Sequence, residues 1–274
     1  MTSTTAPKAT IVRPVAGPGL LPASLAVAQR ALRKYARTPQ LLIVGLMQGL
    51  AFLLIFRYVF GGAIETGSLE YVDFMVPGIL VVSTLFLGMS TAVAIAEDMQ
   101  EGFFDRLRSL PMPAAAVTLG RAIADSIVLV AHLTILTMVS FGLGFRVHTD
   151  WFSALAGFAL CALFGFVFVW LFIALGLLTG NVQAAQGVGF LVLPLSFASG
   201  AYVPVETMPT WLRAFAEHQP ITVVTNAIRA LTQGPYAEEL LGHTASYFAV
   251  RALLWVGAIL VVFMTLAIAR SRRK

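Results

Sequence analysis

Six long apolar segments limit what this chain can fold into more than any other feature of its sequence. They lie at roughly 40–60, 74–95, 117–145, 154–178, 184–202 and 247–269. Each approaches the length of about 20 residues that an α-helix needs to cross about 30 Å of hydrocarbon. Only 11% of the 274 residues are charged, whereas a soluble domain has about 25%. The pattern predicts an all-α membrane protein with six transmembrane helices.

Helices fit these segments better than strands do. A β-barrel would need shorter segments, of about ten residues, with alternating polarity. The stretches 127–139 and 256–266 do not alternate. Pro194 interrupts the fifth segment. Because proline removes one backbone donor and crowds the preceding turn, a kink is expected there.

The distribution of basic residues predicts how the spans are oriented. Thirteen of the eighteen lysines and arginines lie before the first span, between the second span and the first turns of the third, or at the C-terminus. Since basic residues collect on the cytoplasmic side of a membrane, both termini are expected in the cytoplasm. Residues 1–22 are expected to form a disordered tail, residues 39–270 the six-span domain, and residues 271–274 a basic tail.

Residues 23–38 differ from the spans because they are amphipathic. Arg30, Arg33, Lys34 and Arg37 fall within about one third of the helix circumference, with leucine, alanine and tyrosine side chains opposite. This helix is too polar to cross the membrane. It is expected to lie along the cytoplasmic interface, with its basic face toward acidic headgroups or a protein partner. A plain membrane anchor is the alternative.

The segment after the second span predicts a short cytoplasmic helix with one apolar face. The residues assigned to it are Glu97, Phe103, Phe104, Arg106, Leu107, Arg108 and Leu110. Pro111 and Pro113 end it. Two phenylalanines held in the cytoplasm need a surface that buries them. That surface is either a groove on a partner protein or the ends of the chain's own spans, and the residues alone leave both open.

The segment 203–246 is expected on the opposite side of the membrane, although it is not plainly hydrophilic. It contains two short helix-like pieces, 210–217 and 222–232, which are separated by Pro220. Such pieces suit the outer interface or a re-entrant position against the bundle.

No motif for catalysis, nucleotide binding or metal binding occurs in the sequence. The chain lacks Gly-x-x-x-x-Gly-Lys-Ser/Thr, Gly-x-Ser-x-Gly and His-Glu-x-x-His. Its single cysteine, Cys161, belongs to no metal-ligand cluster. No cofactor is therefore expected on this chain. The net charge of +5 is assigned to cytoplasmic loops rather than to nucleic-acid binding.

Three polar residues of the third span bear on rival functions. Arg121 and Asp125 are four apart and can pair on one helix face, and a structural pair is preferred over a gating role. His132 is expected to hydrogen-bond within the bundle rather than to relay protons. An ion-coupled secondary transporter would need more intramembrane carboxylates or an inverted repeat. An intramembrane enzyme would need a paired nucleophile and base, which the sequence does not show.

Two stretches resemble the signature regions of type-2 ABC export permeases, most closely of the daunorubicin-resistance type. They are 97–120, EDMQEGFFDRLRSLPMPAAAVTLG, and 199–229, SGAYVPVETMPTWLRAFAEHQPITVVTNAIR. With the amphipathic helix before them, the resemblance covers nearly the whole chain from about Leu25. The sequence His218-Gln219-Pro220 stands where many members carry an asparagine before the proline, and this departure leaves the cargo open.

The resemblance implies a non-catalytic, membrane-spanning subunit of an ATP-driven exporter in the bacterial inner membrane. The short helix after the second span would be a coupling helix on a separate ATPase, which the amphipathic helix would also touch. Two ATPase copies would carry ATP and magnesium below two permeases, either identical or related. The cargo would be a hydrophobic or amphipathic drug or lipid, moved by alternating access. Met208, Pro209, Trp211 and Pro220 would belong to external re-entrant helices.

Overall fold

The computed structural model describes residues 19–103, 106, 113 and 115–273, and within them it contains helices and no strand. The helices are α1 (Leu20–Arg37), α2 (Pro39–Ile55, continued by a π-helical turn at Phe56–Phe60), α3 (Tyr71–Gln100), α4 (Ala115–Gly142), α5 (Trp151–Thr179), α6 (Val182–Phe190), α7 (Val192–Phe197), α8 (Thr210–Ala216), α9 (Pro220–Gln233), α10 (Pro235–Leu241) and α11 (Ala245–Arg273). A short 3₁₀ turn at Val205–Thr207 precedes α8. The all-α prediction is therefore confirmed for the described residues.

Five stretches of helix in the described part of the chain are long and apolar enough to cross a membrane. They are Ile43–Phe60, Tyr71–Gln100, Ala115–Gly142, Trp151–Thr179 and Ala245–Ser271. They coincide with the first four and the last of the six apolar segments found in the sequence. The chain is thus a multi-pass α-helical membrane protein by the length and composition of its helices.

The fifth apolar segment is interrupted at one residue, Leu191, whose backbone stays helical (φ −65°, ψ −20°). Helix α6 has nine residues and α7 has six, and they meet at Leu191. Pro194 has no N–H to give to the carbonyl of Phe190, which is the last residue of α6. The stretch Val182–Phe197 is therefore shorter than a full span, and the chain leaves the helix before the end predicted for this segment, residue 202.

Helix α5 lies at the centre of the bundle and packs against α3, α4, α9 and α11. Its aromatic residues Phe164, Trp170 and Phe172 are fully buried. A Cβ added at Gly176 would lie 2.7 Å from the carbonyl oxygen of Ala92, so α3 and α5 approach each other to backbone contact. In the most apolar window of α3, 67% of residues are buried, against 17% for α2 and for α11. Helices α2 and α11 therefore lie at the edge of the bundle.

A buried arginine connects α9 to the bundle. Arg229 donates from Nε to the carbonyl of Phe74 (2.7 Å), from Nη2 to that of Ala201 (2.9 Å) and from Nη1 to Oδ1 of Asn226 (2.8 Å). Its guanidinium also lies 3.6 Å from the ring centroid of Phe74. One side chain thus joins α9, the start of α3 and the turn after α7.

Candidate functional site

Helix α1 lies against the ends of the spans instead of only resting on the membrane. Its buried residues are small, with Ala28 and Ala31 packed against Ala124 of α4. A Cβ added at Gly120 would lie 2.5 Å from the carbonyl oxygen of Ser24, so α1 and α4 are in direct contact. Leu21 and Leu25, in contrast, are exposed. The predicted amphipathic helix is present, and its non-basic surface is divided between the bundle and the exterior.

Four polar side chains from α1, α3 and α4 form one buried network. Arg121 donates from Nε to Oδ2 of Asp125 (2.8 Å), which confirms the pair expected from their spacing. Arg121 also donates from Nη2 to Oη of Tyr35 (2.8 Å), and Tyr35 donates to Oδ1 of Asp125 (2.9 Å). Thr91 donates to Oδ2 of the same carboxylate (2.8 Å). Asp125 thus accepts hydrogen bonds from all three helices.

The ion pair at the centre of this network is buried. Arg121 is 5% exposed and Asp125 is 3% exposed. Burial, and after it the neighbouring Asp125 carboxylate, raises the pKa of the Tyr35 phenol. The phenol therefore keeps its proton at physiological pH and can donate to Asp125 while it accepts from Arg121. A buried ion pair is stable when further hydrogen bonds satisfy its remaining atoms, and Tyr35 and Thr91 supply them here.

Two ion pairs with longer distances between their charged atoms join α1 to the C-terminal end of α3. Nη2 of Arg30 lies 3.9 Å from Oδ1 of Asp98, and Nζ of Lys34 lies 3.7 Å from Oε2 of Glu97. The guanidinium of Arg30 also lies 3.8 Å from the ring centroid of Phe103. The predicted basic face of α1 is therefore in contact with two acidic residues at the end of α3.

The remaining basic side chains of α1 are directed away from the bundle. Arg33 and Arg37 are exposed and form no ion pair with any residue that the structure describes. Together with Arg30, Lys34 and Thr38 they line an open cleft. The cleft offers a concentration of positive charge to an anionic partner surface or to lipid headgroups.

Part of the predicted coupling helix lies outside the described residues: Phe104, Leu107, Arg108 and Leu110. Phe103 is half-buried and lies against α1. Nη2 of Arg106 donates to the carbonyl of Glu101 (2.8 Å). For Phe103, the contact is with the protein's own helices, which is one of the two alternatives that the sequence left open.

The predicted external residues mark the starts of two short helices. Pro209 precedes α8 and Pro220 is the first residue of α9, a position where the missing N–H of proline is harmless. Trp211 is 76% exposed, and Met208 follows the 3₁₀ turn. Helix α9 itself is almost entirely buried.

The expected hydrogen bond of His132 within the bundle is not found in the described part of the chain. The residue is buried, but its Nε2 atom has no hydrogen-bond partner among the described residues. The sequence interpretation also overlooked Tyr35, Thr91 and Arg229 as members of buried polar contacts. An arginine among the apolar residues of 220–233 was a usable signal for the last of these.

The fold and this junction define a class: a multi-pass α-helical membrane protein with an amphipathic helix joined to its spans. The described residues include no group of His, Cys, Asp and Glu arranged to hold a metal ion. The chain belongs to the ABC-2 type transporter family, whose profile matches residues 23–232.

Individual relatives agree with this assignment. The chain is 32% identical over 247 residues to the daunorubicin resistance ABC transporter permease protein DrrB1 of Streptomyces coeruleorubidus. The aligned residues make up 89% of this chain and 84% of the relative. It is 24% identical over 239 residues to the "Probable doxorubicin resistance ABC transporter permease protein DrrC" of Mycobacterium tuberculosis, over 85% of this chain and 82% of the relative. Both relatives are named as permeases of ABC transporters. The resemblance stated from the two sequence stretches is therefore confirmed.

Proposed function

We propose that this chain is the permease subunit of an ATP-driven exporter and that a separate ABC ATPase drives it. The observation that carries the proposal is the junction of α1 with α3 and α4. One buried network and two ion pairs join the amphipathic helix to the helix ends beside the segment that begins at Phe103. A force applied to this end of the protein reaches two spans at once.

The mechanism follows from that connection. ATP and magnesium bind on two ATPase copies, beneath this permease and a second one, identical or related. Closure of the ATPase pair pushes on α1 and on the predicted coupling helix. Helices α1, α3 and α4 then move together, because the buried network joins them. The spans then exchange between two packings with different affinities for cargo, as alternating access requires. This chain itself contributes no catalytic residue and no cofactor site.

The cargo class is proposed from the relatives. They are named for resistance to daunorubicin and doxorubicin, so a hydrophobic or amphipathic drug or lipid fits this chain. An ion-coupled secondary transporter is less well supported, because the buried carboxylates of α3 and α4 are already engaged. Asp125 and Asp98 face arginines, and Asp73 accepts from the backbone N–H of Arg146. A gene for a P-loop ATPase beside the gene for this chain would favour the exporter directly.

We propose six spans with both termini in the cytoplasm of a bacterial cell, α6 and α7 together forming the fifth crossing. Helices α8 and α9 are then external and re-entrant. Strongly exposed Trp151 and Trp211 suit the external interface under this topology. The division of the chain into a tail at 1–22, an interfacial helix at 23–38, a membrane domain at 39–270 and a basic end at 271–274 completes the proposal.

Reporter fusions test this topology. A reporter placed after Gly62, Thr149 or Gln233 should be external, and one placed after Met112 or Asn181 should be cytoplasmic. The reason is that only this arrangement keeps most basic residues inside. Alkaline phosphatase and green fluorescent protein fusions give opposite signals at each position. An external signal at Met112 would overturn the topology.

The coupling contact is tested by the double variant Phe103→Ala/Phe104→Ala. Burial of one phenylalanine contributes about 1.5–3 kcal/mol, so losing two should weaken ATPase capture at least about tenfold and abolish ATP-dependent efflux. Affinity is measured with purified ATPase and the permease in nanodiscs, and export in proteoliposomes. Phe152→Ala, a change at an 80% exposed phenylalanine of α5, is the matched control.

Thermal melts on the same preparation separate the two roles of this segment. Phe103 lies against Arg30, so some loss of stability is expected. If only stability falls, and ATPase affinity per folded molecule is unchanged, the segment packs on its own spans and is not the coupling contact.

A further inference from the structure

We infer that α1 binds anionic phospholipids of the adjacent leaflet and that Arg33 and Arg37 hold their headgroup phosphates. The partner of these two arginines is thus a lipid surface and not an acidic protein surface. This binding concerns the permease alone and does not depend on the export function. Three observations carry it: the division of charge on α1, the order of faces around that helix, and its depth relative to α2.

The basic residues of α1 fall into two pairs. Arg30 and Lys34 face two acidic residues of α3, at 3.9 and 3.7 Å. Arg33 and Arg37 are exposed and form no ion pair within the described ranges of the chain. The cleft that all four residues line has a volume of about 450 Å³, and no acidic residue is among its lining residues. It can therefore admit an anionic headgroup, and two of its cations have no competing carboxylate.

The order of faces around α1 indicates what these two arginines meet. Leu25 is 51% exposed. At about 100° per residue, Ala28 and Ala31 lie about 60° and 120° from Leu25 in one direction, and Arg33 and Arg37 lie about 80° and 120° from it in the other. Because the alanines pack on the bundle, the exposed leucine lies between the bundle and the arginines. This order suits a helix at a membrane surface, with apolar residues toward the hydrocarbon and cations at the headgroups.

The exposed leucines of α1 favour lipid over an acidic protein surface. Leu20, Leu21 and Leu25 are 43%, 67% and 51% exposed, and moving such side chains from water into an apolar environment is favourable. A lipid leaflet offers acyl chains to the leucines and phosphates to the arginines of the same helix. The apolar stems of the arginines can lie along the acyl chains while the guanidinium groups reach the polar layer.

The start of α2 sets the depth of the arginines. Arg37 is the last residue of α1, and α2 begins two residues later at Pro39. The stretch of α2 that is apolar enough to cross a membrane starts at Ile43, six residues after Arg37 and thus about 9 Å along a helix. The polar layer outside the hydrocarbon is about 5–8 Å deep. The side chain of Arg37 therefore lies at the level of the phosphates.

The charge of the cleft selects the headgroup. A guanidinium donates two parallel hydrogen bonds to a phosphate group, and arginines four residues apart lie on one helix face. A phosphatidylcholine headgroup has a phosphate but also brings its own cation into an already basic cleft. Phosphatidylglycerol has a phosphate and no cation. Lipids with a net negative headgroup should thus be preferred.

Fluorescent lipids test this preference. Phosphatidylglycerol and phosphatidylcholine with the same fluorescent acyl chain are titrated into the full-length permease in neutral detergent micelles, without ATPase, and binding is followed by anisotropy. Arg33→Gln/Arg37→Gln should weaken phosphatidylglycerol binding about tenfold or more and change phosphatidylcholine binding less than about twofold. Arg33→Lys/Arg37→Lys keeps both charges and should stay within about threefold of the unmodified protein. Arg213→Gln/Arg251→Gln removes two arginines outside α1 and should change either affinity less than about twofold.

Spin labels on adjacent residues test the orientation of α1. In a Cys161→Ala background, a nitroxide on Leu25→Cys should collide mainly with oxygen, which concentrates in hydrocarbon. A nitroxide on Ala26→Cys should collide mainly with a water-soluble nickel complex. Ala26 is a matched position because it is also exposed and lies about 100° from Leu25, between the directions of the two arginines. The oxygen-to-nickel collision ratio should therefore be higher at Leu25→Cys, in permease reconstituted without ATPase.

Three results would overturn the inference. They are equal affinity of the unmodified protein for the two lipids, unchanged phosphatidylglycerol binding in Arg33→Gln/Arg37→Gln, and equal collision ratios at Leu25→Cys and Ala26→Cys. Unchanged lipid binding together with weaker ATPase capture in the glutamine variant would assign the two arginines to a protein partner instead. Since both assays omit the ATPase, a failure of ATP-driven export would leave a positive lipid result intact.

Discussion

Replacing Arg121 with methionine is expected to lower the free energy of unfolding by about 3–5 kcal/mol, because the buried Asp125 carboxylate then loses its cation. Methionine fills much of the same volume, so a cavity contributes little to the loss. Tyr35 and Thr91 would still donate to Asp125, but two neutral donors do not replace a guanidinium. Equilibrium unfolding in mixed micelles measures the change.

The chain contains a matched control for this substitution. Arg213 and Glu217 are also an arginine and an acid four residues apart on a helix, with Nε and Oε1 separated by 2.5 Å. Their side chains are 45% and 34% exposed, so Arg213→Met should cost less than about 1 kcal/mol. Equal losses for the two variants would show that burial of the Arg121 pair is not what makes it important.

Removing both charges of the Arg121–Asp125 pair tests whether the loss of stability in Arg121→Met comes from the unpaired carboxylate. The double variant Arg121→Met/Asp125→Leu leaves no unpaired charge, and it should recover much of the stability lost by Arg121→Met. Export is expected to stay impaired, because Tyr35 then has no partner that joins α1 to α4. If export recovered together with stability, the network would be structural and not part of the coupling path.

The sequence predicted half of this network, for a physical reason. A spacing of four residues brings Arg121 and Asp125 onto one helix face whatever the rest of the fold does. The bond from Tyr35 to Asp125 spans 90 residues of sequence and that from Thr91 spans 34. Such contacts depend on how three helices pack, and no local pattern encodes them.

The fifth apolar segment also shows that a local sequence pattern predicts only part of the structure. Pro194 correctly indicated a disturbance, because the loss of a backbone donor is a local property. How strongly the helix is disturbed depends on what surrounds it. In the structure α6 and α7 meet at Leu191, whose backbone stays helical, and the chain beyond them turns to meet α3. A Cβ at Gly78 of α3 would lie 1.9 Å from the carbonyl oxygen of Ala201, so this turn lies directly on the helix.

Arg229 belongs to the segment 203–246, which the sequence placed on the external side, yet it is 1% exposed. The structure explains how such a cation is tolerated. None of the ion pairs found among the described residues includes it, but three oxygen atoms and the face of Phe74 surround its guanidinium. Backbone carbonyls and an aromatic face supply partial negative charge in place of a carboxylate.

Arg229→Ala should therefore destabilise the protein by about 3–5 kcal/mol, through three lost hydrogen bonds and a cavity beside Phe74. The turn around Ala201 should also become sensitive to protease, because one of its contacts with α3 and α9 is gone. Arg251→Ala is the control. That arginine donates to Oη of Tyr247 at an exposed position (2.9 Å), and its loss should cost less than about 1 kcal/mol.

Arg229→Lys tests whether charge or geometry matters at this position. Lysine keeps the positive charge and most of the length of arginine. A single ammonium group, however, cannot occupy the positions of Nε, Nη1 and Nη2 together, and these atoms donate to three different parts of the fold. The lysine variant should thus lose at least about half as much stability as the alanine variant, and its turn should show a similar protease sensitivity. A lysine variant as stable as the unmodified protein would contradict this account, and it would assign the role of Arg229 to its positive charge near Phe74 alone.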